Sequence, residues 1–128
     1  MYAAKEISKA YILGDNPQTR QERHEAVFQE VQMMGRVNSQ YCIQVTELIE
    51  TDREFYIIQE YSNGLSILDL LNYRIKNGVG PLSEKEANLL LKQLIAGVKD
   101  LYRCEVVHRD LNIKNVLIHF PDLEPKEE

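Results

Sequence analysis

An aspartate and two asparagines lie within one eight-residue stretch, HRDLNIKN, near the C-terminal end of the sequence. Asp110 carries a carboxylate that can accept a proton, and Asn115, five residues later, carries an amide oxygen of the hard type that suits Mg²⁺. Asn112 lies between them and adds a second carboxamide. The apolar runs Val106–Val107 and Val116–Ile118 flank the stretch and predict extended chain on both sides of a loop.

The composition limits the classes to which the protein can belong. The chain has 128 residues, of which 44% are apolar and 27% charged, as in one globular domain or part of a larger one. A net charge of −5 argues against binding to nucleic acid or to an anionic membrane. No apolar stretch approaches the ~20 residues of a membrane span, and no signal peptide is visible. The two cysteines, Cys42 and Cys104, match no metal-binding spacing and predict reduced thiols, hence a cytoplasmic or nuclear location.

Alternation and periodicity predict the elements that must position these side chains. Three strands are predicted, at Tyr2–Ile7, about Ile43–Ile49 and about Phe55–Tyr61, and the last two form a hairpin. Three helices are predicted, the first ending at about Val37, the second over Ile67–Lys76 and the third following Ser83. Candidate caps are Asp15 or Asn16 with Pro17 in the first turn, a capping box of Thr19 with Glu22, and a second box of Ser83 with Glu86.

One lysine and one glutamate fall on faces that are otherwise apolar. Lys5 shares a face of the first strand with Ala3 and Ile7. On a helical wheel, Glu30 falls inside the apolar arc of the first helix, whereas Glu25 points to the opposite side. A charge on a buried face must be paired or neutral. We therefore predict that Glu30 comes within ion-pair reach of Lys5 and that Glu25 does not.

In this order and at these gaps, the motifs resemble those of eukaryotic protein kinases. AAK (Ala3–Lys5) is similar to the strand with the ATP-binding lysine, and EVQMM (Glu30–Met34) to the segment of helix C with its glutamate. FYIIQEYSNG (Phe55–Gly64) is similar to the strand that enters the hinge, and HRDLNIKN (His108–Asn115) to the catalytic loop. The catalytic-loop match is the most specific of the four.

The resemblance implies an α+β, bilobal, protein-kinase-like fold of which the chain covers a part. Residues 1–61 would form part of the N-lobe without its glycine-rich loop, a partial antiparallel sheet with helix C. Residues 62–120 would form the hinge, the first C-lobe helices and the catalytic loop, and residues 121–128 an acidic tail or the start of an insertion. Neither a glycine-rich loop nor an Asp-Phe-Gly motif occurs in the sequence. We therefore expect a partial kinase domain that is inactive alone.

The same resemblance assigns roles in phosphoryl transfer. Asp110 would accept or orient the proton of the substrate hydroxyl, and Asn115 would bind Mg²⁺. Asn112 stands where Ser/Thr kinases have a lysine that meets the γ-phosphate, so it is interpreted as a residue that tunes the catalytic site. Lys5 would hold the α- and β-phosphates of ATP, and Glu30 would orient Lys5.

Further residues would bind the rest of the nucleotide. Ala3 and Leu117 would sandwich the adenine ring, Gln59 would be the gatekeeper behind it, and Ser66 would contact the ribose. For Ala3, Leu117 and Gln59, a purely structural role in the core fits the sequence as well as a contact with the nucleotide does. The hinge backbone that would read the edge of the adenine is that of Glu60, Tyr61 and Ser62.

Three functions remain open at this point. The first is an ATP- and Mg²⁺-dependent protein kinase, with protein Ser/Thr hydroxyls favoured over Tyr as acceptors. The second is a pseudokinase, a scaffold or allosteric binding module that keeps the fold. The third is a small-molecule phosphotransferase of related fold. The retained set of Lys5, Glu30, Asp110 and Asn115 favours the first, and the expected partners are ATP and a protein substrate, with the oligomeric state undetermined.

Overall fold

The computed structural model describes residues 1–12 and 16–123. Asp15 and the predicted tail from residue 124 onward lie outside the described residues. The elements in chain order are β1 (Tyr2–Ser8), α1 (Lys9–Ile12), α2 (Pro17–Gly35), β2 (Val45–Glu50), β3 (Glu54–Glu60), α3 (Ile67–Lys76), α4 (Glu84–Arg103) and a 3-10 turn (Pro121–Leu123). The predicted strands and helices are present with ends shifted by a few residues, α1 was not predicted, and Val106–Val107 forms no strand.

The three strands form one antiparallel sheet in the order β1-β3-β2. Register pairs Lys5 of β1 with Ile57 of β3, and Ile7 with Phe55. Residues directly opposite each other in such a pair project from the same face of the sheet. The face that carries Lys5 therefore also carries Phe55 and Ile57, which are 0% and 1% exposed and form the centre of the core.

Helix α2 packs on this face of the sheet. Val27 of α2 is buried against Phe55, and Ile7 and Leu48 pack against the same cluster. Burying apolar side chains of this size stabilises a fold by roughly 1.5–3 kcal/mol each. The contact fixes the position of α2 on the sheet. It thereby also determines where Glu30, about one turn beyond Val27, lies relative to β1.

A polar cluster holds the N-terminal half of α2 to the sheet. The carboxylate of Glu50 lies 2.6 Å from Lys9 Nζ and 3.3 Å from His24 Nε2. Both rest on Phe55, since Lys9 Nζ is 4.9 Å from its ring centroid and the His24 ring is 5.1 Å from it. The hydrogen bonds from Lys9 and His24 lower the pKa of the Glu50 carboxyl below its usual range.

The start of α2 corrects one predicted cap and supports another. The Asn16 side-chain oxygen accepts a hydrogen bond from the Gln18 N–H at 3.0 Å, and Pro17 occupies the first turn. Thr19 therefore lies inside the helix, and the predicted box of Thr19 with Glu22 is wrong. The physical reason is that proline, which lacks an N–H and has a fixed φ, suits the first helical position and starts the helix earlier.

The second predicted capping box, at the start of α4, is confirmed. The Ser83 hydroxyl accepts from the Glu86 N–H at 3.2 Å, and the Glu86 carboxylate accepts from the Ser83 N–H at 2.7 Å. Arg74 of α3 holds the preceding loop by donating to the carbonyls of Gly80 and Pro81 at 2.9 and 2.8 Å. The Glu86 carboxylate also pairs with Arg74 at 3.2 Å, so α3, the loop and α4 form one unit.

Helix α4 leaves much of its apolar surface exposed. Its spacing predicts an apolar face, yet Gly97 is its one buried residue. Tyr102 is 83% exposed and Leu89 58%. In the part of the chain that the structure describes, no helix is both long and apolar enough to cross a membrane.

The segment between α2 and β2 joins the two halves of the molecule by packing on α4. Ser39 Oγ donates to the Asp100 carboxylate at 2.5 Å, and Cys42 Sγ lies 3.9 Å from the Gly97 carbonyl oxygen. A Cβ on Gly97 would lie 3.1 Å from Cβ of Tyr41, so this contact requires a glycine or a small shift of the segment. The sheet is thereby tied to the helix that leads into the HRDLNIKN loop.

This contact predicts slow alkylation of Cys42. Burial raises the pKa of its thiol; the hydrogen bond with Ser39 acts in the opposite direction but is outweighed, and the nearby Asp100 carboxylate raises the pKa further. A raised pKa lowers the thiolate fraction near pH 8, so iodoacetamide should modify Cys42 in a Cys104→Ser variant more slowly than it modifies a free cysteine peptide. The rate should rise to the peptide rate in urea. The neutral thiol's contribution to stability is complete at neutral pH and declines as pH rises through the raised pKa. Equal rates in the folded and unfolded states would contradict the prediction.

Candidate active site

The backbone that leads into the catalytic-loop motif takes an uncommon conformation at two positions. Helix α4 ends at Arg103, and Glu105 and Arg109 then adopt positive φ values of 58° and 68°. Left-handed backbone at a non-glycine residue costs on the order of 1 kcal/mol and persists where surrounding contacts impose it. Here the turn at Arg109 brings the N–H of Asp110 to His108 Nδ1, which accepts it at 3.2 Å.

Two carboxamides hold the carboxylate of Asp110. Asn112 Nδ2 donates to Oδ1 of Asp110 at 3.0 Å, and Asn115 Nδ2 donates to Oδ2 at 3.2 Å. The same two amide groups donate to the Asp110 backbone carbonyl, at 3.2 and 2.9 Å. The structure thus brings together the three chemically capable residues that the sequence singled out.

Asn112 also closes the remainder of the loop. Its side-chain oxygen accepts from the Lys114 N–H at 2.9 Å, and its backbone carbonyl accepts from the Asn115 N–H at 3.0 Å. All residues from His108 to Asn115 are exposed, so these short-range bonds, rather than burial, define the loop.

The chain that follows the loop is anchored to the segment before α3. The Ile118 N–H donates to Leu65 at 2.8 Å, and the N–H groups of Ile67 and Leu68 donate to carbonyls of the loop end at 3.0 and 3.1 Å. Ser66 and Leu117 form an isolated antiparallel bridge. The predicted extended run at Val116–Ile118 therefore pairs through this one bridge and forms no full strand.

Two residues that the sequence analysis did not single out complete this anchor. The Asn63 carboxamide donates to the Phe120 carbonyl at 2.7 Å and accepts from the Phe120 N–H at 2.9 Å, as a paired backbone would. Gly64 lies against Ile118, where a Cβ would collide with the backbone carbonyl oxygen. The turn-like sequence Ser-Asn-Gly was the available signal, but it does not reveal the distant partner.

The close approach at Gly64 predicts a destabilised Gly64→Ala variant. The added methyl meets backbone, which cannot move aside as a flexible side chain can, so unfolding should become easier by about 3 kcal/mol. Gly35→Ala is the matched control, because a Cβ there has no neighbour within 4 Å. The control should be neutral or stabilising by up to ~1 kcal/mol, since alanine favours helix. Urea unfolding measures both variants, and equal midpoints would refute the predicted clash.

The predicted ion pair of Lys5 with Glu30 is confirmed, but its burial is not. Lys5 Nζ lies 3.9 Å from Glu30 Oε1, and their side chains are 56% and 49% exposed. Helix α2 is buried only at Val27, so the sheet face is open where the pair lies. Glu25 accepts from Gln21 on its own helix at 3.2 Å.

The predicted hinge residues lie at the end of β3 and just beyond it. Gln59 is opposite Ala3 in the register, so the two candidate adenine contacts share one face. The Glu60 N–H already donates to the Gln44 carbonyl at 2.8 Å, and the Gln44 N–H donates back to the Glu60 carboxylate at 3.2 Å. Any hinge contact with a nucleotide must therefore use other backbone groups of this segment, which continues through Tyr61 and Ser62.

The C-lobe side of the predicted nucleotide site is held by local contacts. The Ser66 hydroxyl caps α3 by accepting from the Asp69 N–H at 3.1 Å, and it donates to the Asp69 carboxylate at 2.7 Å. A contact of Ser66 with ribose would compete with this cap. Leu117, opposite Ser66, is 44% exposed. Within the described residues 1–12 and 16–123, no hydrogen bond or ion pair joins Lys5 or Glu30 to Asp110.

The donor set fits a magnesium ion in part. Both recorded side-chain bonds of Asn115 use its NH₂ group, and its amide oxygen is the hard type of ligand that Mg²⁺ takes. Within the described ranges, no group of three or more His, Cys, Asp or Glu side chains could hold a metal by itself. A magnesium ion here would take further oxygens from a nucleotide, as is usual for this metal.

Comparison with known proteins identifies the family of the chain and agrees with its fold. The family model described as "Protein kinase domain" matches residues 1–126. The chain is 32% identical over 115 residues to "Serine/threonine-protein kinase SIK3 homolog" of Danio rerio, covering 88% of this chain and 9% of that protein. It is 29% identical over 122 residues to human "Serine/threonine-protein kinase H2", covering 95% of this chain and 30% of that protein. The crystal structure of Rad53 1-466 in complex with AMP-PNP superimposes with a TM-score of 0.72 at 21% identity, over 94% of this chain and 28% of that one.

The chain therefore belongs to the protein kinase family. The predicted fold class is confirmed, since the three-stranded antiparallel sheet and the helices correspond to part of the kinase fold. The chain spans less than a third of the length of each of these relatives.

Proposed function

We propose that the full-length product of this gene is an ATP-dependent protein kinase that transfers the γ-phosphoryl group to Ser/Thr hydroxyls of proteins. The observation that carries the proposal is the carboxylate of Asp110 held by the Asn115 amide in an exposed loop. The names of the two relatives, both Ser/Thr kinases, support the acceptor class. Family membership favours a protein acceptor over the third possibility, a small-molecule phosphotransferase.

Asp110 is the proposed acceptor or orienting group for the hydroxyl proton of the substrate. An ionised carboxylate has about four lone-pair sites, and the two amide bonds occupy two of them. Capacity for a substrate hydroxyl therefore remains. The loop is exposed, which leaves Asp110 open to a protein acceptor.

Lys5 is the proposed ligand of the α- and β-phosphates, with Glu30 as the group that orients it. An ion pair at 3.9 Å with both partners half exposed contributes little stability, typically 0–1 kcal/mol. Lys5 can therefore turn toward phosphates at little cost. Adenine would lie between Ala3 and Leu117, with Gln59 behind it and the hinge at Glu60–Ser62 along its edge.

Asn115 is the proposed protein ligand of Mg²⁺. The metal, when bound with ATP, supplies positive charge that neutralises the phosphates. The Asn115 NH₂ group donates to Asp110, so its amide oxygen would be the atom that serves as the ligand. We also propose a cytoplasmic or nuclear location, from the two free cysteines of the chain.

The second candidate is a pseudokinase that binds nucleotide without transferring phosphate. The observation that favours it is Asn112, which brings no charge to the position where the family has a lysine. The presence of Asp110, Asn115, Lys5 and Glu30 together in this chain favours the active enzyme.

The test uses the full-length gene product with γ-labelled ATP, Mg²⁺ and peptide libraries that present Ser/Thr or Tyr. We expect label on Ser/Thr peptides and complete loss on removal of Mg²⁺ with EDTA. Nucleotide binding without transfer would establish the pseudokinase instead, and label on Tyr alone would overturn the acceptor class.

The 128-residue chain alone should transfer no phosphate in the same assay. Its sequence holds neither a glycine-rich loop nor an Asp-Phe-Gly motif, and Asn115 is its one proposed metal ligand. Transfer by the chain alone, lost on Asp110→Asn, would contradict this prediction.

A further inference from the structure

The side chain of Asn112 uses both of its polar groups inside the loop. Its NH₂ group donates to the carboxylate and to the backbone carbonyl of Asp110, at 3.0 and 3.2 Å. Its oxygen accepts from the Lys114 N–H at 2.9 Å. The side chain is therefore turned toward the aspartate, and both of its polar groups are engaged inside the loop.

This bond has a specific effect on the geometry of Asp110. The terminal torsion of an aspartate is broad, so one hydrogen bond leaves the plane of the carboxylate free to rotate. Asn115 holds Oδ2 and Asn112 holds Oδ1. Two donors on different oxygens fix the plane, and they leave the remaining lone pairs at a defined angle to an approaching hydroxyl.

We propose that Asn112 is a positioning residue that fixes the carboxylate plane of Asp110 for the substrate hydroxyl. The inference rests on the proposed kinase function and deepens it. Orientation of a reacting group accounts for a large part of enzymatic rate acceleration, and small misplacements lower rates strongly. Asn112 therefore affects the transfer step and not the binding of ATP.

A lysine at the same position could not fix the carboxylate plane of Asp110 in this way. Its ammonium donates but has no acceptor, so the Lys114 N–H would lose its partner. Its longer, flexible chain would hold the adjacent carboxylate with a point charge and not with a directed amide. With asparagine at this position, the loop has no cation there, but the carboxylate of Asp110 is held in a fixed orientation.

The experiment compares four forms of the full-length gene product: wild type, Asn112→Asp, Asn112→Lys and the control Lys114→Ala. Asn112→Asp keeps the shape and the acceptor for the Lys114 N–H, but it replaces the donor to Asp110 by an oxygen that carries negative charge and repels the carboxylate. We expect its kcat to fall about 10- to 100-fold, the usual effect of losing a hydrogen bond to a charged group, with KM for ATP unchanged. Lys114→Ala keeps the backbone N–H and should retain wild-type kcat.

Three kinetic results would overturn the inference. The first is a wild-type kcat in Asn112→Asp. The second is an Asn112→Lys variant as fast as wild type or faster, which would mean that charge and not orientation matters at this position. The third is a loss expressed in KM for ATP.

A wild type without any transfer would mean failure of the proposed function, and the positioning geometry then has its own test. The side-chain NH₂ resonances of Asn112 should shift on Asp110→Ala in an NMR spectrum. Resonances that do not move would refute the inference independently of activity.

Discussion

Replacing Asp110 by asparagine in the full-length gene product is expected to lower phosphoryl transfer by about 10²- to 10⁴-fold, the usual contribution of a general base. The substitution removes the group that is proposed to accept the hydroxyl proton. It also sets an NH₂ group against the two amide donors of Asn112 and Asn115, so at least one of their hydrogen bonds is lost. Initial rates at saturating Mg-ATP and peptide measure the effect.

Asp52→Asn is the matched control for this variant. Asp52 is an exposed aspartate in the turn between β2 and β3, far along the chain from the loop. It should transfer phosphate at the wild-type rate. Equal rates for Asp110→Asn and wild type would show that another group accepts the proton, and the assignment of the catalytic loop would fail.

Lys5→Met is expected to lower kcat/KM for ATP by about 100-fold, the effect of removing one preorganised electrostatic contact. Methionine keeps most of the length and apolar body of lysine but has no charge to offer the phosphates. Lys9→Met is the matched control, because Lys9 follows the same strand and pairs with Glu50 at 2.6 Å, not with Glu30. The control should leave kcat/KM unchanged.

Glu30→Gln and Glu25→Gln extend the comparison to α2. The half-exposed pair of Lys5 with Glu30 is weak, so its loss should lower kcat/KM by at most about fivefold. Glu25→Gln should have no effect. A Glu25 variant as impaired as the Glu30 variant would show that α2 acts through stability and not by orienting Lys5.

Structural features that depend on residues close together in the chain were predicted well from the sequence. The box of Ser83 with Glu86 and the bounds of α3 depend on side chains within one helical turn. The predicted capping box of Thr19 was wrong although it also depends on nearby residues, because α2 begins earlier, at Pro17 with Asn16 as its cap. Local signals therefore predict an element more reliably than they choose between adjacent caps.

Properties that depend on distant packing were predicted less well. Strand alternation and the helical wheel predicted the pairing of Lys5 with Glu30. The burial of this pair depends on what covers that end of the sheet, and no local sequence pattern contains that information. The roles of Asn63 and Gly64 were missed for the same reason, since their partners are Phe120 and Ile118. The departure from lysine at Asn112 was visible in the sequence, but the direction of its amide was not.

The joining of Asn63 to Phe120 also has a consequence for the order in which the molecule folds. The two residues are 57 positions apart in the chain, and closing a flexible loop of that length costs roughly 3–4 kcal/mol of chain entropy. Helices α3 and α4 occupy most of the interval and shorten the flexible part once they have formed. The loop with Asp110 should therefore become ordered after these helices, and a mutation that frays α4 should slow the ordering of this loop more than that of the sheet.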